Sequence, residues 1–227
     1  MISNKYDLII LDCDGTLVDS EYLANKVTAD VLNDFGLTEY TPEKCLKDFA
    51  GKSWNNVLIH LEQKHNQTIP KSIVDDYTNR LDRELKTADL SIKFAMDFVQ
   101  YCHDNFKICV ASNGEESNVV QELELQNYMI YFDKKNIFTK MQVEHGKPAP
   151  DLFVYAAEKM AVEPKRCLVI EDSSTGAQAG VAAGMDVWGF TGVAHNEEQA
   201  RQQLRQVGAK EVFDNYHEMQ NFLSGTV

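Results

Sequence analysis

Residues 9–21 read IILDCDGTLVDSE. An apolar run closes on two carboxylates one residue apart, Asp12 and Asp14, followed by Gly15 and Thr16. On an extended chain, residues i and i+2 share a face, so both carboxylates can reach one reacting centre. One can attack phosphorus and form an acyl phosphate. The other can protonate the leaving oxygen and then activate water. Gly15 lets the chain turn and lets backbone N–H groups approach a phosphate. Cys13 lies between the two carboxylates but is set aside as a nucleophile. A strand turns it to the opposite face, and flanking carboxylates raise a thiol's pKa.

Three other stretches carry complementary chemistry. KICVAS ends in Ser112, with Asn113 and Gly114 following; CLVIED ends in Glu171 and Asp172; and Lys147 sits in the loop VEHGKPAPD. Each alone has an ordinary reading: a turn or cap for the paired aspartates and for Ser-Asn-Gly, a helix start for the acidic pair, a solvated side chain for the lysine. Together, in one crevice, four carboxylates repel each other unless they take up protons or share a cation. Hard oxygen donors suit Mg²⁺, which keeps waters for a phosphate to replace. A hydroxyl and an ammonium beside it offer what phosphoryl oxygens need. No His/Cys set supports zinc.

These residues need a scaffold that brings them together. Residues 6–12, 107–112, 167–172 and 186–190 are short apolar runs of the kind that form strands buried on both faces. Helical patterns lie between them, including residues 151–161 and 174–184, the second ending on a glycine. Strands alternating with helices predict an α/β fold with a doubly wound parallel sheet, and in such a sheet the C-terminal strand ends line one edge. The stretch 19–89 breaks the rhythm. Leu23, Val27, Val31, Leu32 and Phe35 share a helical face before Gly36, and PEKCLKDFAG, SWNNVLIHLEQKH and KSIVDDYTNRLDRELK read as three more helices. The expected organisation is an α/β core over 1–18 and 90–227, with an all-helical cap over 19–89.

At this point the sequence resembles the haloacid dehalogenase (HAD) superfamily. DCDGTLVDSE, VASNG, GKPAPD and VIEDSSTGAQAGVAAGM look like its four motifs, and the likeness spans nearly the whole chain. The helical insert is similar to the cap of the beta-phosphoglucomutase-like and phosphoglycolate-phosphatase-like branch. The core is similar to sugar-phosphate phosphatases of the 6-phosphogluconate phosphatase type. The resemblance implies Asp12 as nucleophile and Asp14 as general acid/base, with Ser112, Asn113 and Lys147 around the phosphoryl group. It implies Mg²⁺ held by Asp12, the Asp14 carbonyl and Asp172, with Glu171 as a further or outer ligand. Two departures count against a mutase: Ala24 stands where the mutases carry a cap histidine, and Trp54 where they carry a phosphate-gripping arginine. Lys93 and Phe94 replace the Pro-Gly pair that many relatives place at the entry to the helix after the cap.

Composition narrows the partners. With 35 acidic against 22 basic residues, net charge −13, and no dense Lys/Arg cluster, nucleic acid is not expected. No apolar run is long enough for a bilayer, and the N-terminal stretch lacks the features of a signal peptide. Five cysteines, an odd number with no zinc spacing, fit a reducing cytoplasm. A monomer is compatible with the sequence, which sets no oligomeric state. In so acidic a chain a small phosphomonoester needs specific cations. Lys52 and Arg80 in the cap are therefore expected to contact the non-reacting part of the substrate, although single Lys and Arg side chains are usually solvated. Three rival readings remain. A receiver-type phosphoacceptor domain would carry its acidic pair before the acceptor aspartate and would have no large insert. A non-catalytic HAD-like binding protein has nothing in these intact motifs to favour it. A phosphosugar mutase is disfavoured by Ala24 and Trp54.

Overall fold

The computed structural model describes residues 5–49 and 52–226. Met1 to Asn4, Val227, and the Ala50-Gly51 pair at the end of the predicted segment PEKCLKDFAG lie outside them. The chain divides into two compact units, one comprising Met1–Asp19 with Asp89–Val227, the other Ser20–Ala88.

The larger unit is built on six parallel strands in the order β3-β2-β1-β4-β5-β6. These are β1 (Leu8–Leu11), β2 (Lys107–Ser112), β3 (Ile137–Thr139), β4 (Cys167–Glu171), β5 (Asp186–Phe190) and β6 (Glu211–Phe213). The central strand β1 pairs Ile9 with Ile108 on one side and with Leu168 on the other. All four of its side chains are fully buried, which is why an uninterrupted LIIL run serves here: both faces of the sheet are covered. One face packs Leu8, Ile10, Cys109 and Val169 against Leu152, Phe153 and Ala156 of a helix and against Ala177 of the next. The predicted strands are all present. β3 and β6 are additions, each three residues long at a sheet edge, too short for their alternation to register in the sequence.

The smaller unit contains, among its described residues, four helices and no strand: α1 (Ser20–Asp34), α2 (Pro42–Phe49), α3 (Trp54–His65) and α4 (Ser72–Leu85). Leu23, Val27, Val31 and Leu32 of α1 are buried, facing α2 and α4. Ser53 starts α3 by accepting from the Asn56 N–H, and Asn66 ends it in the left-handed conformation.

Among the described residues, six α-helices accompany the sheet: α5 (Ala95–Asn105), α6 (Glu116–Leu125), α7 (Asp151–Lys159), α8 (Ser174–Ala182), α9 (Glu197–Gln206) and α10 (Tyr216–Ser224). Phe94, before α5, has φ 64°, a conformation glycine adopts without steric cost and a bulky residue does not. Its ring packs near Lys93 Nζ (4.9 Å) and the His217 ring (6.2 Å). Many relatives carry a glycine at this position, which would adopt the conformation freely.

Candidate active site

β1, β2 and β4 lie side by side, so their C-terminal ends bring Asp12, Ser112 and Glu171 to one edge. Lys147 joins them from the loop before α7. Its ammonium donates to Asp12 Oδ1 at 2.5 Å and to Glu171 Oε1 at 2.7 Å, and all three residues are buried. Burial alone would lower the lysine's pKa, but the two carboxylates outweigh it and hold the ammonium charged. Asp12 moves upward: burial, together with Glu171 and Asp14, outweighs Lys147. One cation does not neutralise this cluster.

The second half of the site depends on two glycines. Gly15 takes φ +72°, and a Cβ there would stand 2.1 Å from Asp172 Oδ2. A Cβ on Gly176, in the first turn of α8, would fall 1.6 Å from Glu171 Oε1. Both positions are bare because a carboxylate occupies the space. Glu171 Oε2 accepts from the Ser173 N–H and hydroxyl, and Ser173 Oγ in turn caps α8 by accepting from the Gly176 N–H. Carboxylate oxygens of Asp12, Glu171 and Asp172 lie within 4.8 Å of one another. Three hard oxygen donors at that spacing fit Mg²⁺.

Ser112 is buried, its Oγ accepting from the Gly114 N–H at 2.9 Å. A Cβ on Gly114 would lie 3.2 Å from that Oγ and 3.9 Å from Asp14 Oδ2, which sets the Asp14 carboxylate on the same side as the serine. Asn113 has a different arrangement from the phosphate contact expected of it: its amide is bonded to the main chain of Lys147, accepting from the N–H at 2.9 Å and donating to the C=O at 3.0 Å. The Lys147–Pro148 peptide is cis.

Three residues of this neighbourhood escaped the sequence. Tyr216 Oη donates to Thr16 O at 2.5 Å and Tyr128 Oη to Leu17 O at 3.0 Å, pinning the turn that follows Asp14. Glu122 is buried behind the motif, accepting from Cys13 Sγ at 3.7 Å. Burial first, then Asp14, push its pKa up to about 8. No local pattern announces partners that lie more than a hundred positions away.

In the smaller unit, Lys52 lines a cavity of about 220 Å³, and its ammonium donates to Asp48 O. Arg80 is instead paired with Asp34 (2.7 Å) and Asp76 (3.1 Å), and it is not among the residues lining that cavity.

A family model described as "Haloacid dehalogenase-like hydrolase" matches residues 9–190. The 6-phosphogluconate phosphatase of Escherichia coli is 28% identical over 86% of this chain and 86% of its own length. The fructose-1-phosphate phosphatase of the same organism is 29% identical over 80% of this chain and 95% of its own. A HAD family hydrolase from Deinococcus radiodurans, solved with bound phosphate and sodium, superposes with a TM-score of 0.87 at 28% identity, covering 97% of this chain and 96% of that one. The family match takes in Asp12, just past β1, and Glu171, the last residue of β4, and by it the chain belongs to the haloacid dehalogenase-like hydrolases.

Proposed function

We propose that the protein is a Mg²⁺-dependent phosphatase that hydrolyses a small phosphomonoester, a sugar phosphate, through an aspartyl-phosphate intermediate. The observation that carries this reading is the Lys147 ammonium bridging Asp12 and Glu171, with Asp172 beside them. A buried nucleophile with a cation at its oxygen and a hydroxyl nearby suits a phosphoryl group. The phosphatases among the curated relatives support the substrate class.

In this reading Asp12 attacks phosphorus as the bond to the ester oxygen breaks. Asp14 gives its proton to the leaving alkoxide, which departs as an alcohol. Asp14 then takes a proton from water, whose oxygen attacks the phosphorus and releases inorganic phosphate and a free Asp12. Ser112 and Lys147 hold the phosphoryl oxygens, and Asn113 fixes Lys147 for that task. Asp12, Asp172, the Asp14 carbonyl and Glu171 would hold Mg²⁺. When bound, it supplies positive charge that offsets the carboxylates and the substrate.

Release of phosphate from p-nitrophenyl phosphate and from a panel of sugar phosphates, with and without Mg²⁺, tests the reading. The panel is scored for free phosphate and for isomerised sugar phosphate. Isomer without phosphate would replace the phosphatase with a mutase.

A further inference from the structure

Asn113-Gly114 is the chain's single Asn-Gly pair, a pairing that is chemically unstable. With no side chain on the second residue to obstruct it, the Gly114 nitrogen can attack the side-chain carbonyl carbon of Asn113. The new C–N bond closes a succinimide ring, and the amide nitrogen of Asn113 leaves as ammonia. Water then opens the ring. Attack at the side-chain carbonyl gives aspartate; attack at the main-chain carbonyl gives isoaspartate. One water is taken up and one ammonia released, and no other reactant is needed.

The fold turns the two reacting groups away from each other. The Gly114 N–H donates to Ser112 Oγ at 2.9 Å. The Asn113 amide is aimed at Lys147, accepting from its N–H at 2.9 Å and donating to its C=O at 3.0 Å. Ring closure needs the side chain to swing from Lys147 to Gly114, so both of its bonds must break first. Asn113 is only half-buried, which leaves water able to open the ring once it has formed.

The product changes the site. Aspartate at this position accepts from the Lys147 N–H but has no proton to give the Lys147 C=O, so two oxygens would face each other. Isoaspartate adds a methylene to the main chain between Ser112 and Gly114, which displaces the Gly114 N–H from Ser112 Oγ. Either product brings a further negative charge to a cluster in which three carboxylates already share one ammonium. We propose that Asn113 is a site of spontaneous, irreversible deamidation, held back by its pairing with Lys147, and that the product releases Lys147 and weakens the site for phosphate. The effect on activity rests on the phosphatase reading above; the modification does not.

Peptide mass spectrometry tests the modification without turnover. The unmodified protein is kept at mildly alkaline pH, folded in buffer or unfolded in urea, and the amide-to-acid mass gain at Asn113 is followed. With two hydrogen bonds to break, the folded protein should react roughly 5- to 150-fold more slowly than the unfolded chain. Gly146→Ala removes the restraint. Its methyl would stand 2.7 Å from Asn113 Oδ1, and Gly146 is not among the glycines of positive φ, so the backbone accepts alanine while the Asn113 side chain must move. The folded variant, checked by circular dichroism, should lose most of the protection. A second measurement needs no variant: sub-denaturing urea that speeds hydrogen exchange at the Lys147 N–H should speed deamidation in proportion. Equal rates in folded and unfolded protein, or a folded rate indifferent to Gly146→Ala and to Lys147 exchange, overturns the proposal, as does an Asn113 that stays intact in urea. Kinetics tests the consequence. Aged protein enriched by anion exchange, and Asn113→Asp, should show KM for p-nitrophenyl phosphate raised roughly 5- to 100-fold, and an unchanged KM overturns the release of Lys147. If fresh protein turns over no phosphomonoester, the phosphatase reading fails while mass spectrometry still decides the modification.

Discussion

The side chain of Asn113 and the main chain of Lys147 hold each other in both directions, N–H to Oδ1 and Nδ2 to C=O. It is the pairing that neighbouring strands use, made here by a side chain on a loop. Gly146 permits it, since a Cβ there would stand 2.7 Å from Asn113 Oδ1. Asn113→Ala should therefore loosen Lys147 while leaving Asp12 in place. The expected result is a stability loss of about 1–3 kcal/mol and a rise in KM for any phosphomonoester. Thermal melts and steady-state kinetics on one preparation check both, and an unchanged KM would detach Asn113 from the site.

Asp12→Asn should abolish turnover while leaving circular dichroism unchanged, because the covalent path is gone and the variant is isosteric. Acid-quenched protein incubated with ³²P-labelled substrate should carry label on Asp12 and lose it in the variant. Label on any other residue would move the nucleophile. Asp14→Asn should slow both formation and breakdown of the intermediate.

Mg²⁺ should stabilise as well as activate. Saturation at a hundred times Kd is worth about 2.7 kcal/mol, visible as a rise in Tm that EDTA reverses. Asp172→Asn should shrink that rise. A Tm indifferent to Mg²⁺ in the unmodified protein would argue against a site at these carboxylates. Calcium should inhibit, its larger and looser coordination misplacing the Asp12 carboxylate.

Glu122 gives a pH prediction. Its folded-state pKa is raised to about 8, above the ordinary carboxyl value of about 4.3. The folded protein therefore holds a proton that the unfolded chain has lost, and stability falls as pH climbs from the ordinary value through the raised one. Glu122→Gln removes this penalty. It should be more stable than the unmodified protein by on the order of 2 kcal/mol at pH 9, with the gap closing near pH 4. Urea melts across pH would show parallel curves if Glu122 were ionised throughout.

Gly176→Ala should be among the most damaging small substitutions. Its methyl would fall on the Glu171 carboxylate, the group that also holds Lys147. Overpacking of this kind costs about 1–3 kcal/mol. Activity should fall further than stability, because the carboxylate must leave its place. A fully active Gly176→Ala protein would show that Glu171 can move freely.

The parts of this molecule legible in the sequence are those where chemistry sits at the end of a strand. Asp12, Ser112 and Glu171 are found because a buried parallel strand is an unbroken apolar run that stops where the site begins. Lys147 is found by its loop. β3 and β6 are not, since three residues hold too little pattern to separate an edge strand from a loop. Asn113 follows Ser112 in the sequence, but the direction of its side chain depends on the loop that meets it. Lys52 and Arg80 are alike in the sequence, lone cations in a helical stretch; only the fold distinguishes a lysine beside a cavity from an arginine already held by Asp34 and Asp76. Tyr128, Tyr216 and Glu122 act across the fold, where local periodicity carries no information.

The position of β1 has a consequence for synthesis. The first strand of the chain is central in the sheet, and its neighbours β2 and β4 come after the whole helical unit. At the roughly 5–20 residues per second of translation, Ile9 waits about 5–20 s for Ile108 to be made (108 − 9 = 99 residues), and longer for Leu168. During that interval the apolar LIIL segment lacks both of its sheet partners, and an unpaired apolar segment is open to association between nascent chains. The four cap helices leave the tunnel in that same interval, so the strand that will carry Asp12 is the last part of the early chain to find its partners.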